Sequence, residues 1–291
     1  MQFKGTGVAL VTPFLSNGEV DEKGLRKLVD YQVENGTDFL VVQGTTGETA
    51  TLTSEEKDRV LAIVIEQNAK RLPVVLGMGG NNTAEVEAAM KNFSNDGVDG
   101  FLSASPHYNK PSQRGIIEHF KVLSRASKLP IILYNVPGRT GSNMVASTTL
   151  ELAKLDNIVA VKEASGDLEQ VMSIIKDAPS DFAILSGEDA LTMPMIAAGA
   201  HGVISVVANA LPKRFSTMVN ASISGDLELA RKNHYDLLDV THLFFAEGNP
   251  AGIKVALESA KICGSTLRLP LFEVSGELRK KIDAEMVGLI G

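Results

Sequence analysis

The chain of 291 residues has a single cysteine, four tyrosines and no tryptophan. One cysteine excludes a disulfide within the chain, and it also excludes a CxxC metal or redox motif. No apolar run approaches the ~18 residues that a membrane-spanning helix needs. Residues 1–5 lack the basic start and apolar core of a secretory signal. We therefore expect a cytoplasmic protein that does not insert into a membrane.

The chain also lacks any block of basic residues. Its 28 lysines and arginines stand against 35 acidic residues, which gives a net charge of −7 with the histidines neutral. Without a basic patch or interleaved aromatic residues, nucleic acid is not an expected partner. Hydrophobic residues make up 44% of the chain and charged residues 22%, so the composition is typical of a globular protein with a large core.

Eight short apolar runs recur along the first two thirds of the chain, and segments with helical periodicity separate them. Asp21, Thr53 and Asn82 each begin such a segment with a helix-capping pattern. Alternating strands and helices predict a parallel sheet that is covered by the crossover helices. The eight predicted strands are residues 8–11, 39–42, 74–76, 100–102, 131–134, 158–161, 182–185 and 202–206.

Eight such units predict a closed (β/α)8 TIM barrel over residues 1–225, with residues 226–291 as a C-terminal helical extension packed on it. The alternative is an open doubly wound sheet, but no GxGxxG follows the first predicted strand. Within the extension, Asn249-Pro250 predicts a helix start, with Asn249 as the cap and Pro250 as the first helical residue.

The sixth predicted strand ends on a lysine. Lys162 shares a face with Ile158 and Ala160, because side chains alternate along a strand. Burial disfavours the charged form of a lysine and lowers its pKa, which leaves a neutral nucleophilic amine of the kind that forms Schiff bases. The alternative is that the Lys162 ammonium extends beyond the strand into solvent.

Polar side chains follow several of the other strands as well. In a (β/α)8 enzyme the active site lies at the C-terminal ends of the strands. Two of the four tyrosines, Tyr108 and Tyr134, fall at these ends. This convergence on one rim favours a catalytic role for Lys162. The polar strand ends are residues 44–48, 103–109, 134–140, 162 and 186–189.

Each of these side chains also has a plainer interpretation. Thr45 and Thr46, with the amides of their turn, suit a carboxylate, although a tight turn alone also explains them. Tyr134 is either a core aromatic residue or the group that passes protons to and from a carbinolamine. Arg139 is either a solvated charge or a planar fork for a second carboxylate. Two prolines flank Tyr108 and indicate a rigid loop that presents its phenol.

A metal site is not expected. The histidines at 119, 201, 234 and 242 stand in no HExxH or carboxylate pattern. Cys263 lies in the C-terminal helical region, far from the strand-end motifs, and we expect it to be buried and inert.

Four stretches taken together are far more specific than any one motif: GTTGE at 44–48, YNVPGRTG at 134–141, VKEASG at 161–166 and HGVISV at 201–206. With them the chain resembles, essentially from end to end, the dihydrodipicolinate synthase family of class I pyruvate-dependent aldolases. The resemblance implies a (β/α)8 barrel with a C-terminal helical extension. It implies a lyase that condenses pyruvate with aspartate semialdehyde in lysine and diaminopimelate biosynthesis. It implies no metal or organic cofactor, and a homotetramer of tight dimers.

The resemblance also implies roles for particular catalytic residues. Lys162 would form the Schiff base, and Tyr134 would be the central proton-transfer residue. Thr45 would link Tyr134 to Tyr108, which in this family reaches in from the neighbouring subunit.

The same resemblance assigns four substrate-binding positions. Thr46 would bind the pyruvyl carboxylate, and Arg139 would stand at the entrance for the carboxylate of the semialdehyde. Gly187 and the backbone of Ile204 would line the pocket.

Members of the family that lysine inhibits carry a regulatory pocket at the tight-dimer interface. Asn81 and Glu85 match that pocket, whereas Ser54, Lys57 and His107 depart from it. A second ammonium at Lys57 opposes a bound lysine cation, so we expect weak or absent inhibition by lysine. The positions of the possible regulatory site are Thr49, Ala50, Lys57, Asn81, Glu85 and His107.

Two other functions are compatible with the same fold. A lyase for N-acetylneuraminate or a keto-deoxy sugar acid would share Lys162 and Tyr134, but a sugar chain needs neutral polar partners where this chain has Arg139. A non-catalytic barrel that binds a keto acid should have lost Lys162, Tyr134 or Thr45, and none of the three is lost.

Overall fold

The computed structural model describes residues 2–94 and 96–290. Eight parallel strands pair in chain order, and β1 also pairs with β8, so the sheet closes into a barrel. The (β/α)8 prediction is therefore confirmed, and the alternative of an open doubly wound sheet is wrong. The strands are β1 Gly5–Ala9, β2 Phe39–Val42, β3 Val74–Gly77, β4 Gly100–Ala104, β5 Ile131–Asn135, β6 Ile158–Glu163, β7 Ala183–Ser186 and β8 Gly202–Ser205.

Helices connect the strands and continue beyond the barrel. The last three, α10 to α12, make up the C-terminal extension, and the predicted limit between residues 225 and 226 stays a prediction. No helix in residues 2–94 or 96–290 has both the length and the apolar character to cross a bilayer. The helices are α1 Glu22–Glu34, α2 Ser54–Asn68, α3 Thr83–Asn92, α4 Gln113–Ala126, α5 Pro137–Thr140, α6 Ala146–Leu152, α7 Leu168–Asp177, α8 Thr192–Ala197, α9 Pro212–Ser224, α10 Leu227–Phe245, α11 Ala251–Ser259 and α12 Gly276–Leu289.

Three helices begin where the sequence predicts. Thr53 and Glu56 form a reciprocal capping box at the start of α2, in which each side chain bonds the backbone of the other. The side chains of Asp21 and Asn82 cap α1 and α3. These caps satisfy backbone N–H groups that have no partner inside the helix.

The first strand begins at Gly5, three residues before the prediction. The stretch Gly5-Thr6-Gly7 shows no alternation of apolar and polar residues. The reason is that the interior of the barrel has no room for a side chain at this point. A Cβ atom on Gly7 would lie 2.3 Å from ring atoms of Phe39. The Phe39 ring therefore fills the space beside β1, and hydrophobic pattern alone cannot reveal such a position.

Side chains that point into the barrel form a buried cluster of their own, separate from the larger core between the strands and the helices. This inner cluster combines small and large side chains, so the barrel is filled rather than hollow. Tyr134 belongs to it. Other members are Phe3, Ala9, Phe39, Val41, Val75, Leu102, Ile132, Ala160, Leu185 and Ile204.

The start of α11 differs from the prediction. Pro250 is the N-cap residue and α11 begins at Ala251, and the Asn249 side chain does not cap the helix. The Asn249 side chain instead donates a hydrogen bond from Nδ2 to Thr46 Oγ1, over 3.0 Å. A contact with a barrel loop has replaced the local cap, and local sequence pattern cannot anticipate such a contact.

Candidate active site

A cavity of about 350 Å³ opens at the C-terminal ends of the strands. It brings together six of the predicted site residues: Thr45, Thr46, Tyr134, Arg139, Lys162 and Gly187. The cavity also has an apolar floor and wall, to which Ala9, Leu102, Val136, Ala164 and Val206 contribute. Reactive groups on an apolar background are typical of a small-molecule site.

Lys162 and Tyr134 form the centre of this cavity. They are register partners on β6 and β5, and both side chains are buried. Lys162 Nζ lies 4.4 Å from the centroid of the Tyr134 ring. An amine over an aromatic face gains a favourable electrostatic contact when it is charged. The alternative in which Lys162 extends into solvent is excluded, because only 5% of the residue is exposed.

Gly187 makes room for the lysine. A Cβ atom at this position would lie 2.6 Å from Ala164 Cβ and 3.1 Å from Lys162 Cε. The Gly187 backbone N–H donates to Glu163 O over 2.8 Å, which holds the residue close to β6. The reason for glycine here is therefore the close approach of the backbone to the lysine side chain.

The threonine pair lies on a short 3-10 turn, Thr45–Gly47, directly after β2. Thr46 is buried and Thr45 is exposed to the cavity. Because Asn249 Nδ2 donates to Thr46 Oγ1, the hydroxyl hydrogen of Thr46 stays free for another acceptor. The turn can therefore offer hydroxyl and amide donors to an anion.

A buried ion pair fixes the far end of this turn. Glu48 has a left-handed φ of 52° and pairs with Lys254 of α11, and neither side chain is exposed to solvent. Lys254 Nζ also donates to Thr266 O over 2.8 Å and lies 4.3 Å from the centroid of the Phe14 ring. Burial lowers the pKa of Lys254, and Glu48 opposes that shift. The C-terminal extension thus holds the turn at two points, Thr46 in its middle and Glu48 at its end.

Two charged side chains line the outer part of the cavity. Arg139 is exposed on α5, and Glu188 is half-buried in the loop after β7. Burial raises the pKa of the Glu188 carboxyl, and the neighbouring Asp189 raises it further, while Lys162 and Arg139 act in the opposite direction. This part of the cavity therefore presents charges of both signs.

Behind the cavity, Asn135 and Glu163 form a second register pair, one residue beyond Tyr134 and Lys162. Asn135 Nδ2 donates to both carboxylate oxygens of Glu163 over 3.0 Å, and Gln170 Nε2 donates to one of them. Burial raises the pKa of Glu163. This pair locks the ends of β5 and β6 together from outside the barrel.

Two predicted site residues do not line the cavity. Ile204 is buried in the inner cluster of the barrel. Tyr108 is 86% exposed, has a φ of 70°, and lies outside the cavity. Its residue type is uncommon in the left-handed region, and the Tyr108 N–H donates to Thr140 O over 3.3 Å. A single chain therefore does not bring the Tyr108 phenol to Lys162.

The possible regulatory positions lie on the surface beside α2 and α3. Asn81 Nδ2 donates to His107 O over 3.2 Å, so these two positions are in contact. Lys57 lies on α2 and Glu85 on the first turn of α3. Thr49 and Ala50 belong to the 3-10 turn that follows Glu48.

Among the lining residues that sequence reasoning did not assign to the site are Glu188, Phe245 and Asn249. Glu188 stands in a strand-end stretch that was singled out, but nothing in the sequence separates its role from that of Asp189. The other two come from the C-terminal extension, and no local pattern links them to a barrel loop.

Cys263 and His119, for which no functional role was expected, both lie in buried surroundings. Cys263 is buried, and burial raises the pKa of its thiol to about 12, so it stays a neutral thiol. His119 is also buried, and burial lowers its pKa to about 4. The His119 ring contacts Thr83 Oγ1 through Nδ1 over 2.9 Å.

A model of the dihydrodipicolinate synthetase family matches residues 2–287. The 4-hydroxy-tetrahydrodipicolinate synthase of Parabacteroides distasonis is 50% identical over 272 residues, which cover 93% of this chain and 92% of that protein.

Solved structures with similar folds lead to the same family. Dihydrodipicolinate synthase from Aquifex aeolicus superposes with a TM-score of 0.94 at 41% identity, covering 99% of both chains. The chloride-inhibited dihydrodipicolinate synthase from Acinetobacter baumannii, solved with pyruvate, gives 0.95 at 37% identity, with 98% of this chain and 99% of that one covered. With the barrel, the buried lysine and the strand-end motifs in place, this chain belongs to the dihydrodipicolinate synthetase family.

Proposed function

We propose that this protein is a lyase that condenses pyruvate with L-aspartate 4-semialdehyde to give 4-hydroxy-tetrahydrodipicolinate, a step of lysine and diaminopimelate biosynthesis. The observation that carries the proposal is the buried Lys162 amine, 4.4 Å from the Tyr134 ring centroid, in a cavity that also presents a threonine turn and an arginine. Family membership supports the same reaction.

The first half of the reaction uses Lys162 as a nucleophile. Its neutral amine attacks the keto carbon of pyruvate, and loss of water gives an iminium. The iminium withdraws electrons from the adjacent methyl group, so a proton leaves that carbon and an enamine forms. Tyr134, on the neighbouring strand, passes the protons that these steps release and consume.

The second half joins the two substrates. The enamine carbon attacks the aldehyde carbon of the semialdehyde, whose oxygen takes up a proton, and the iminium forms again. The ammonium group of the acceptor gives up a proton, and the resulting neutral amine attacks the iminium carbon, which closes the ring. A proton moves from this new ring nitrogen to the Lys162 nitrogen, Lys162 leaves as a free amine, and the ring nitrogen of the product keeps the double bond to carbon. The lysine acts as the electron sink throughout.

The cavity offers separate partners for the two carboxylates. The Thr46 hydroxyl and the turn amides receive the pyruvyl carboxylate, next to Lys162. Arg139, at the outer part of the cavity, receives the carboxylate of the semialdehyde through its planar guanidinium. Thr45 connects Tyr134 to the phenol of Tyr108, and Gly187 gives the lysine its space.

We also propose a homotetramer, in which the Tyr108 phenol reaches the site of a neighbouring subunit. The exposure of Tyr108 and its constrained backbone support this assignment. Substrates that are central metabolites support a cytoplasmic location. Sedimentation analysis of the parent and a Tyr108→Phe variant will separate assembly from catalysis: we expect a tetramer for both and a slower kcat for the variant.

A sugar-acid lyase remains the alternative within the same chemistry. A neutral polyhydroxyl chain gains little from the fixed cation of Arg139, whereas a carboxylate gains a charge-assisted pair. A non-catalytic keto-acid sensor has no use for a buried lysine facing a tyrosine, because maintaining a buried amine costs stability.

The decisive experiment supplies pyruvate and aspartate semialdehyde together, with a dihydrodipicolinate reductase and NADPH, and follows NADPH oxidation. We expect turnover that requires both substrates. If no turnover occurs but borohydride still traps pyruvate on Lys162, the sugar-acid lyase becomes the better assignment. If neither turnover nor adduct is found, only a binding role is left.

A further inference from the structure

The C-terminal extension places one amide side chain on the wall of the cavity. Asn249 lines the cavity, and only 8% of the residue is exposed. Its Nδ2 donates to Thr46 Oγ1 over 3.0 Å, and no donor from the described residues reaches its Oδ1. The contact with Thr46 is therefore the one hydrogen bond that this side chain makes within residues 2–94 and 96–290.

Stability of the fold does not by itself explain this asparagine. A buried acceptor without a donor costs free energy, so the unpaired Oδ1 favours unfolding. The Asn249 side chain does not cap α11 either, because Pro250 is the N-cap residue. A buried polar residue that costs stability is expected to serve the site that it lines.

The hydroxyl of Thr46 differs from that of a neighbouring threonine. Thr12 Oγ1 donates to Gly47 O over 2.7 Å, so its hydrogen is committed to the backbone of the turn. Thr46 Oγ1 instead accepts from Asn249. A threonine hydroxyl has one hydrogen and two lone pairs, and an amide nitrogen does not accept. Asn249 therefore occupies a lone pair of Thr46 and leaves the hydroxyl hydrogen for an acceptor in the cavity.

We propose that Asn249 is a positioning residue for the keto acid, because it holds the Thr46 hydroxyl as a donor toward the substrate. This inference rests on the keto-acid half of the proposed function. The Thr46 hydroxyl and the turn amides are then all donors. An ionised carboxylate only accepts, so it matches this set of groups. The extension thus determines which chemical group the loop after β2 can bind.

The test measures the binding of pyruvate alone, as the concentration that gives half of the maximal adduct on Lys162 after a short pulse of borohydride. Asn249→Ala frees the Thr46 hydroxyl to rotate, and we expect this concentration to rise about fivefold. Thr46→Val removes the hydroxyl and should raise it about tenfold or more, as for a lost hydrogen bond to a charged group. In the Thr46→Val background, Asn249→Ala should add less than about twofold, because the group on which Asn249 acts is gone.

Asn249→Asp reverses the direction of the hydrogen bond. The new carboxylate accepts from the Thr46 hydroxyl, whose oxygen then faces the substrate carboxylate, so we expect the half-saturating concentration to rise about 30-fold or more. Asn220→Asp adds the same charge at an exposed position on α9 and should change it by less than about twofold. Half-saturation does not depend on how much of each variant is folded, so partial unfolding does not affect the comparison.

Two results would overturn the positioning role. One is an equal rise from Asn249→Ala in both backgrounds, which would mean that the residue acts through the fold. The other is saturation of Asn249→Asp at the parent concentration of pyruvate. A parent protein that traps no pyruvate would overturn the positioning role and the proposed function together. A parent that follows the expected trapping pattern but does not consume aspartate semialdehyde would refute the condensation alone.

Discussion

Tyr134 and Lys162 are direct register partners on adjacent parallel strands, and the lysine nitrogen lies 4.4 Å from the centroid of the tyrosine ring. The spacing between paired strands therefore sets the distance between the two groups, and no loop takes part. The next pair outward, Asn135 and Glu163, is hydrogen-bonded and buried, which prevents the two strand ends from separating. Catalytic geometry built on strands in this way is rigid.

Replacement of Lys162 with Ala should abolish trapping of pyruvate by borohydride and lower kcat on the order of 10³-fold or more, because Lys162 is the one lysine among the described residues that line the cavity. Mass spectrometry of the reduced protein measures the adduct. Tyr134→Phe is the matched control, since it keeps the amine but slows proton transfer by about 10² to 10⁴. It should still form the adduct. An adduct of unchanged yield in Lys162→Ala would assign the chemistry to another lysine.

Gly187→Ala should lower kcat by about 10²-fold without unfolding the protein, because the new methyl group lies 3.1 Å from Lys162 Cε and displaces the amine. Steady-state kinetics and circular dichroism together measure this outcome. Gly138→Ala adds the same methyl group where no heavy atom lies within 4 Å, and it should cause a much smaller loss. Similar losses in the two variants would mean that space beside the lysine is not the reason for Gly187.

Arg139→Ala should raise the KM for aspartate semialdehyde about 10- to 100-fold, the range expected for loss of a hydrogen-bonded charge pair. Enamine formation from pyruvate should change far less. Exchange of the pyruvate methyl protons with deuterium, followed by NMR without the second substrate, measures that step. Equal loss in both assays would remove Arg139 from acceptor binding.

Lysine should inhibit this protein weakly or not at all. Lys57 is a cation in the region of the regulatory pocket, so a bound lysine would be the second positive charge there. His107 and Ser54 also alter the polar lining of that pocket. Like charges in one pocket disfavour binding. The coupled assay with millimolar lysine measures the effect, and Lys57→His is the informative variant, because sensitivity should increase when the fixed charge is removed. Strong inhibition of the parent would refute the expectation.

The stability of the protein should fall on acidification between about pH 6.5 and pH 4, in part because of His119. Burial lowers the pKa of this residue from 6.5 to about 4. Across this window the unfolded chain binds a proton that the folded protein does not, so lower pH favours unfolding. Urea unfolding at pH 7.5 and pH 4.5 measures the change.

In His119→Phe the same decrease should be smaller, because the variant has no proton to bind at this position. Comparison with the parent cancels the contribution of the buried carboxyls, whose raised pKa values act with the opposite sign. An identical decrease in both proteins would mean that His119 does not contribute.

The strand order and most strand positions were predictable because buried parallel strands appear as short β-branched runs between helix-capping signals. The start of β1 was not predictable, since Gly5 and Gly7 leave no hydrophobic pattern. The rim residues were predictable because every strand of a barrel ends on the same face. The positions of Asn249 and Glu188 at the cavity were not predictable. That of Asn249 depends on a contact with a distant segment, and that of Glu188 depends on the orientation of the loop after β7.

The Asn249–Thr46 and Glu48–Lys254 contacts join positions 203 and 206 residues apart. During synthesis, a nascent chain that has completed all eight strands still lacks both contacts. The Thr45–Gly47 turn and the adjacent Glu48 then lack the Asn249 hydrogen-bond donor and the Lys254 counterion. These two contacts can therefore form only after residue 254 has emerged from the ribosome, so the turn at the rim of the barrel is among the last parts of the site to be fixed in place.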